Sequence, residues 1–361
     1  MKSRILFFCP LPPPIGGQAL ISEIVFNQIQ PKFIINTNLK SKYLGTISVL
    51  LQTFWLIVFH KIDLVYFTCT RSKMGALKDF FLLFLCHLRK IRVINHLHGN
   101  EVMDLFKDRR FGKLTHYFYN FIDATIFVTE HQKATIPASL TNMERIVIPN
   151  CYDPVLDDCI RTLDDSIEST KLLFISYLMK SKGILVVLDV FERLAESYPN
   201  LTLNIAGDFL GDDYMSKSEI TDVFHQKYGY LEKKFPGRIH YLGVVMGEEK
   251  KALYLTSDIL LFPSFFKTES FGLVNVEGMR TGNVVITTNH NFLPELVSEK
   301  EGFIVKTNDI ESTYVSIKFV LDHPDLMRQI QQHNMEHAKL QYAPDRLKFE
   351  VQAVFNRFME K

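Results

Sequence analysis

Two carboxylates eight positions apart, Glu269 and Glu277, enclose the string Ser-Phe-Gly-Leu-Val-Asn-Val. The string follows the apolar run Ile259–Phe262 and opens an amphipathic stretch, which is the order strand, loop, helix. A helix start presents backbone N–H groups with no intrahelical acceptor, and these bind phosphate. Glu269 and the amides of Phe271, Gly272, Leu273 and Val274 fall at that start. Glu277 lies four and three positions beyond Leu273 and Val274, on a helix face with apolar neighbours. A carboxylate there is costly unless something hydrogen-bonds to it, and a ribose diol would serve. Taken singly, Glu269 reads as a capping acid and Glu277 as a solvated helix acid. The whole string points to a ligand.

Three further sets carry chemistry. Gly16-Gly17 follow the apolar run Ile5–Cys9 and a loop holding Pro10, Pro12, Pro13 and Pro14. Without side chains they let backbone amides approach an anion, although a plain turn fits the pair equally well. His98 follows a strand-like run at 91–97 and precedes Gly99. That is the carboxyl edge of a parallel sheet, where such folds bind ligands. Lys182, before Gly183, offers a point positive charge, the feature that stabilises a departing phosphate, although alone it reads as solvated surface. No Asp-x-Asp occurs in the chain. The sequence therefore predicts neither metal nor cofactor, with amides and Lys182 in place of a cation.

In order and spacing, this set resembles glycosyltransferase family four, the retaining enzymes of GT-B fold. The resemblance covers nearly the whole chain. Its parts are Pro14-Ile-Gly16-Gly17, His98-Gly99, Ile148-Pro-Asn150-Cys-Tyr-Asp153, Lys182-Gly183, Ile205-Ala-Gly207-Asp208, Pro263-Ser264, the two glutamates, and Pro294-Glu295. It implies transfer of a sugar from a UDP-, GDP- or ADP-linked donor to an acceptor hydroxyl with retained anomeric configuration. It also implies a hexosyltransferase of the kind that builds bacterial surface polysaccharide or glycolipid. The implied catalytic residues are His98 and Glu269 on the sugar and Lys182 on the diphosphate. Implied donor-binding residues are Gly16, Gly17, Gly207, Phe271, Gly272, Leu273, Val274 and Glu277, the last on the ribose. Two departures stand out: Ser176-Tyr177 where relatives usually carry Gly-Arg, and Asn291-Phe292 where a glycine pair usually precedes Pro294.

The elements that must position these residues follow from patterning. Short apolar runs at 33–36, 63–68, 91–97, 124–128 and 145–149 alternate with segments of helical length. The alternation restarts with strands at 172–177, 201–206, 239–242, 259–262 and 284–288 and helices at 184–198, 217–235, 248–256 and 271–281. That is a doubly wound α/β pattern occurring twice. The predicted fold is two Rossmann-like parallel-sheet domains facing each other across a cleft. The predicted boundaries are an acceptor-side domain at 1–152, an acidic linker at 153–170, a nucleotide-sugar domain at 171–340, and a C-terminal helix at 341–361 packing back on the first domain. Six acids (Asp153, Asp157, Asp158, Asp164, Asp165, Glu168) mark the linker.

The chain carries a formal charge of +1, unevenly spread. Residues 1–150 hold 18 Lys and Arg against 9 Asp and Glu, and the rest hold 23 against 31. Such asymmetry suits an anionic partner for the N-terminal half, a saccharide or lipid-linked acceptor at a membrane face, and nothing in it calls for nucleic acid. Two apolar stretches, Ile47–Phe59 and Phe80–Cys86, fall short of the ~20 residues needed to span a bilayer. They read first as buried helices of the first sheet. The alternative is a helix lying in a membrane interface, flanked by Arg71, Lys73, Lys78, Arg89, Lys90 and Arg92, with Lys107, Arg109, Arg110 and Lys113 beyond. The opening apolar run is too short for a signal peptide, and five scattered cysteines without a CxxC pair read as reduced thiols. The expected location is cytoplasmic, peripheral on the inner face of the cell membrane.

Rival readings differ in class. A nucleotide-sugar epimerase or phosphorylase on the same fold would turn over without a separate acceptor, or with phosphate. A nicotinamide-dependent oxidoreductase would need G-x-G-x-x-G after the first strand, which is missing. A non-catalytic nucleotide-sugar-binding or scaffold protein would fit Ser176-Tyr177 but leaves His98, Lys182, Glu269 and Glu277 without a purpose.

Overall fold

A computed structural model describes residues 4–13, 16–38, 42–70, 72–161 and 169–360. The chain divides into two compact units, Met1–Cys151 with Pro344–Lys361, and Tyr152–Ala343.

In the first unit strands and helices alternate: β1 (Ile5–Cys9), α1 (Gly17–Ile29), β2 (Phe33–Asn36), α2 (Lys42–Phe59), β3 (Leu64–Phe67), α3 (Lys73–Arg89) and β4 (Arg92–Leu97). Then come α4 (Val102–Lys107), α5 (Gly112–Tyr119), β5 (Ala124–Phe127), α6 (Glu130–Thr135) and β6 (Glu144–Val147). The six strands pair in parallel in the order β2-β1-β3-β4-β5-β6. Continuous apolar runs make β1, β3 and β5 buried at every residue, as a sheet covered on both faces requires.

The second unit repeats the scheme with β7 (Thr170–Ile175), α7 (Ile184–Ser197), β8 (Leu201–Ala206), α8 (Lys217–Lys234), β9 (Ile239–Tyr241) and α9 (Gly247–Leu255). It continues with β10 (Ile259–Phe262), α10 (Leu273–Arg280), β11 (Val284–Thr288), β12 (Gly302–Val305), α11 (Ile310–Asp322) and α12 (Pro324–Gln341). Its parallel order is β12-β11-β10-β7-β8-β9. Strand order therefore reverses between β7 and β10, which opens a crevice at their carboxyl ends. In the first unit the reversal lies between β1 and β3.

The last helix, α13 (Pro344–Glu360), belongs to the first unit and packs on α1. Phe355 sets its ring 5.4 Å from Tyr66, and the Arg92 guanidinium donates to the Phe358 carbonyl. The stretch read as a linker begins differently. Tyr152, Leu156 and Cys159 are buried in the second unit, and Arg161 pairs with Asp258 at 2.6 Å. Asp153 is held by Lys250 at 2.9 Å. The acids at 153 and 157 are thus structural partners, not linker solvation: Tyr152 donates its hydroxyl to Asp157 at 2.7 Å. Asp164, Asp165 and Glu168 lie outside the described residues, as do Pro14 and Arg71.

One buried acid gives the first unit a pH signature. Asp79 in α3 is fully enclosed and accepts from the Thr70 amide at 2.8 Å and the Thr70 hydroxyl at 3.1 Å. Burial lifts its carboxyl from 3.8 to about 7, against the lowering effect of those hydrogen bonds. The fold therefore favours the neutral acid. That stabilisation is complete below about pH 4 and is lost as pH rises through 7. Relative to Asp79→Asn, the wild-type protein should lose up to about 3 kcal/mol between pH 5 and pH 8. Parallel urea melts at the two pH values measure this, and a pH-independent difference would remove Asp79 as its source.

Candidate active site

β7 and β10 lie side by side, so the segments leaving their carboxyl ends share the crevice of the second unit. After β7 the chain passes Ser176 and Tyr177 into a single turn, Lys180–Lys182, closed by Gly183. Gly183 has φ +85°, and a Cβ there would sit 2.4 Å from the Pro263 carbonyl oxygen, so only glycine lets this turn rest on the end of β10. That contact delivers Lys182. Its ammonium is mostly enclosed, pairs with Glu269, and stands 5.1 Å and 4.9 Å from the ring centres of Phe262 and Phe266. Ser264, fully buried, donates to the same Glu269 oxygen at 3.0 Å.

The loop carrying Glu269 is braced from the next strand. After β11, Asn291 adopts φ +48°, and its side-chain amide donates to the carbonyls of Lys267 (2.9 Å) and Glu269 (3.2 Å). The His290 ring lies 2.9 Å from the Phe266 carbonyl. The departure from a glycine pair thus supplies a clamp: asparagine tolerates the left-handed backbone and adds donors that glycine lacks. Phe292 is buried.

Beyond Glu269, Gly272 caps α10 at φ +67°, with no side-chain cap and no acid in the first turn. The helix begins at Leu273, two residues later than patterning placed it, because the left-handed Gly272 ends the preceding loop. Amides at this start keep the orientation that binds anions. Phe271 is a core residue, its ring edge-on to Tyr342 at 6.0 Å, so only its backbone serves the loop.

Glu277 is buried on α10, and the protein itself satisfies it. One carboxylate oxygen accepts from Lys250 at 2.8 Å, the other from the Tyr254 hydroxyl at 2.9 Å. The hydrogen-bonding that the buried position requires thus comes from two side chains four apart on α9. Burial lowers the Lys250 pKa, but Glu277 and Asp153 outweigh it and leave the ammonium above its ordinary value. Each carboxylate oxygen has a second lone pair for a further donor. Lys250 and Tyr254 escaped sequence reading. Their spacing put them on one face of α9, but nothing local showed which face of α10 they meet.

Gly207 follows β8 at φ +143°, and a Cβ there would lie 1.8 Å from the Ser176 carbonyl oxygen. Its N–H donates to Gly243 at 2.7 Å and its carbonyl accepts from the Tyr241 hydroxyl at 3.1 Å. The structure thus gives Gly207 a packing role and engages its amide. Tyr177, in the place of the usual arginine, is partly exposed at the end of β7.

In the first unit Gly16 precedes α1 and Gly17 begins it, both exposed at the reversal beside β1. Gly16 has φ −157°, and a Cβ would meet nothing within 4 Å, so neither backbone nor packing demands glycine. His98 follows β4 and is buried, its ring centre 4.0 Å from that of His96. Burial pulls His96 down to about 3, so it is neutral, and its Nδ1 lies 2.6 Å from the Tyr66 hydroxyl. Gln132 reaches the Gly99 carbonyl at 3.4 Å.

Among the described residues one group has metal-ligand geometry: Glu301, His333 and His337, whose ligand atoms lie within 4.8 Å of one another. Glu301 precedes β12, at the amino edge of the sheet, opposite the crevice. It is already engaged by Ser298 (2.8 Å and 2.5 Å) and His333 (2.8 Å), a clamp between loop and α12.

A parallel sheet with a lysine, a glutamate and an uncapped helix start at its reversal also matches known sequences. Residues 165–337 match the family described as glycosyl transferases group 1. These residues form a group 1 glycosyltransferase domain. A 41.2 kDa protein of the cps region of Klebsiella pneumoniae is 34% identical over 143 residues, 39% of this chain and 34% of that protein. The D-inositol 3-phosphate glycosyltransferase of Corynebacterium efficiens is 29% identical over 182 residues, 50% of this chain and 41% of that enzyme. The chain thus spans under half the length of these relatives. Among solved structures, sucrose-phosphate synthase from Thermosynechococcus elongatus superposes with a TM-score of 0.74 at 13% identity, covering 99% of both chains. Anabaena HepE in complex with UDP gives 0.71 at 17% identity, covering 99% of this chain and 100% of that one. The architecture of the two parallel-sheet units is GT-B, and the resemblance to glycosyltransferase family four stands beside the group 1 domain.

Proposed function

We propose that this group 1 glycosyltransferase moves a hexosyl group from a nucleotide diphosphate to an acceptor hydroxyl, with retention, in cell-surface polysaccharide or glycolipid synthesis. The observation that carries the reading is the Lys182–Glu269 pair, set at the strand reversal beside the uncapped start of α10. A diphosphate takes the ammonium from Glu269 and gains the helix amides, and the freed carboxylate turns to the sugar hydroxyls. Glu277 takes the ribose on its remaining lone pairs. Gly16 and Gly17 supply amides to the diphosphate, the one reason on hand for glycine at a position that packing leaves open. His98 is assigned to the transferred sugar.

The transition state is oxocarbenium-like, as in glycoside hydrolysis. The bond from the anomeric carbon to phosphate breaks, its electron pair staying on phosphate. The acceptor oxygen bonds on the same face, and its proton passes to the leaving phosphate. Lys182 stabilises the charge that develops there. The reaction so written uses no metal and no cofactor. Support for a UDP-type donor comes from HepE, solved with UDP-glucose, and for a surface-polysaccharide role from the cps-region protein. The basic N-terminal half suits a lipid-linked or saccharide acceptor at the inner face of the cell membrane.

Saturation-transfer NMR against UDP-, GDP- and ADP-sugars tests the reading. One donor should bind, and Glu277→Ala should weaken it at least about tenfold, as loss of a charged hydrogen-bond acceptor requires. Unchanged binding in that variant removes the ribose role. Gly16→Ala should leave the melting temperature unchanged while weakening the same donor. Tyr177 favours a second reading, a non-catalytic nucleotide-sugar-binding or scaffold protein. That reading predicts binding without transfer, and an epimerase predicts turnover without acceptor.

A further inference from the structure

The exposed side of α2 and α3 is apolar, against the expectation that these helices are buried. On α2, Leu44, Ile47, Leu51, Phe54, Trp55 and Phe59 are exposed, Leu44 by 74% and Leu51 by 66%. At 100° per residue they occupy a single arc of about 140°, opposite the buried Val49, Thr53 and Ile57. On α3, Met74, Leu77, Phe84 and Leu88 are exposed at intervals of three, seven and four, again one stripe. The two helices pack against each other, so the stripes lie on neighbouring helices of one unit. Leu114 and Tyr117 on α5, which packs on α3, extend the apolar surface.

The charge around this face is mainly positive, although Lys73 is paired with Asp108. The 18 residues of α2 include no carboxylate, and the single acid of α3, Asp79, is fully buried. Lys73 opens α3, and Arg89 and Lys90 close it, all exposed. At the Lys73 end a hollow is lined by Lys73, Asp108, Arg109, Arg110 and Phe111, three cations to one acid. No helix among the described residues is long and apolar enough to cross a membrane. An apolar stripe ended by cations lies flat in a bilayer interface, with rings and aliphatic chains below the headgroups and cations at their level. A second copy of the chain on this face would set basic rim against basic rim, whereas anionic lipid neutralises them.

We propose that the joint face of α2, α3 and α5 seats the first unit in the surface of an anionic bilayer. The proposal deepens the reading of an acceptor at the membrane face and rests on it only for which membrane is met. Trp55 is the single tryptophan of the chain and lies on the face, so the protein carries its own reporter. With the purified full chain and no donor, vesicles of phosphatidylcholine with 30% phosphatidylglycerol should shift Trp55 emission to the blue and carry the protein into the pellet. Phosphatidylcholine alone, or 0.5 M salt with the mixed vesicles, should reduce pelleting at least tenfold. Leu51→Glu, an exposed position, should abolish pelleting, and Arg89→Glu with Lys90→Glu should weaken it, both leaving the donor signal in NMR intact. Emission unmoved by anionic vesicles overturns the proposal. So does a dimer in sedimentation velocity that Leu51→Glu dissociates, which would make the occupant a second copy. Because vesicle binding is read without nucleotide, its failure is separate from failure of the transferase reading.

Discussion

Replacing Lys182 with alanine is expected to lower the rate of sugar transfer about 10²–10³-fold at saturating donor, the range for removing one preorganised group that stabilises developing charge. The ammonium is held at the strand reversal between the rings of Phe262 and Phe266 and against Glu269, so little reorganisation is needed when negative charge grows on the leaving phosphate. Ser264 still hydrogen-bonds Glu269 at 3.0 Å in the variant, so the carboxylate keeps a partner and the fold should hold. Single-turnover rates at saturating donor measure the effect, with donor affinity followed separately by NMR. A loss confined to affinity would make Lys182 a ground-state anchor. A rate within a few-fold of wild type would remove it from the mechanism. Lys182→Arg keeps the charge but not the compact ammonium geometry, and should recover only part of the rate.

Gly207→Ala is expected to destabilise the second unit by about 3–5 kcal/mol, without any donor being involved. Two costs combine. The residue sits at φ +143°, which L side chains rarely adopt, and the added Cβ would fall 1.8 Å from the Ser176 carbonyl oxygen, forcing β7 and β8 apart at their ends. Thermal melting should show a fall of about 10 °C or more. A variant with wild-type stability but lost donor binding would reverse the assignment and return Gly207 to the ligand. The Gly16→Ala variant is the natural contrast, since its Cβ meets nothing within 4 Å. The same substitution at the two positions thus tests whether each glycine is kept for packing or for approach.

Much of the scaffold was legible because it depends on local pattern. Strands at 259–262 and 284–288 sit where apolar runs placed them, since both are buried at every residue, and the partly exposed strands at 33–36 and 201–206 match as well. Boundaries slipped where backbone geometry overrode hydrophobicity, as at Gly272, whose left-handed conformation delays α10 by two residues. The reading of 302–341 was thinnest: β12, α11 and α12 lie there, and their polar, half-buried sequences carry weak periodicity.

The site divides along the same line. Residue identity and order, the two glutamates with Phe-Gly-Leu-Val between them and Lys182-Gly183 upstream, were enough to show a resemblance to glycosyltransferase family four, because a phosphate-binding helix start and its loop are contiguous in sequence. Tertiary structure alone paired Lys182 with Glu269 and gave Glu277 to Lys250 and Tyr254. Those pairs are 87, 27 and 23 positions apart and meet only because β7 and β10 are neighbours and α9 packs beside α10. It alone turned the apolar stripe of α2 outward. Sequence periodicity shows that a helix has an apolar face but not whether a sheet covers it. Here the sheet already takes up the side bearing Val49, Thr53 and Ile57, and Leu51 and Trp55 are left on the other.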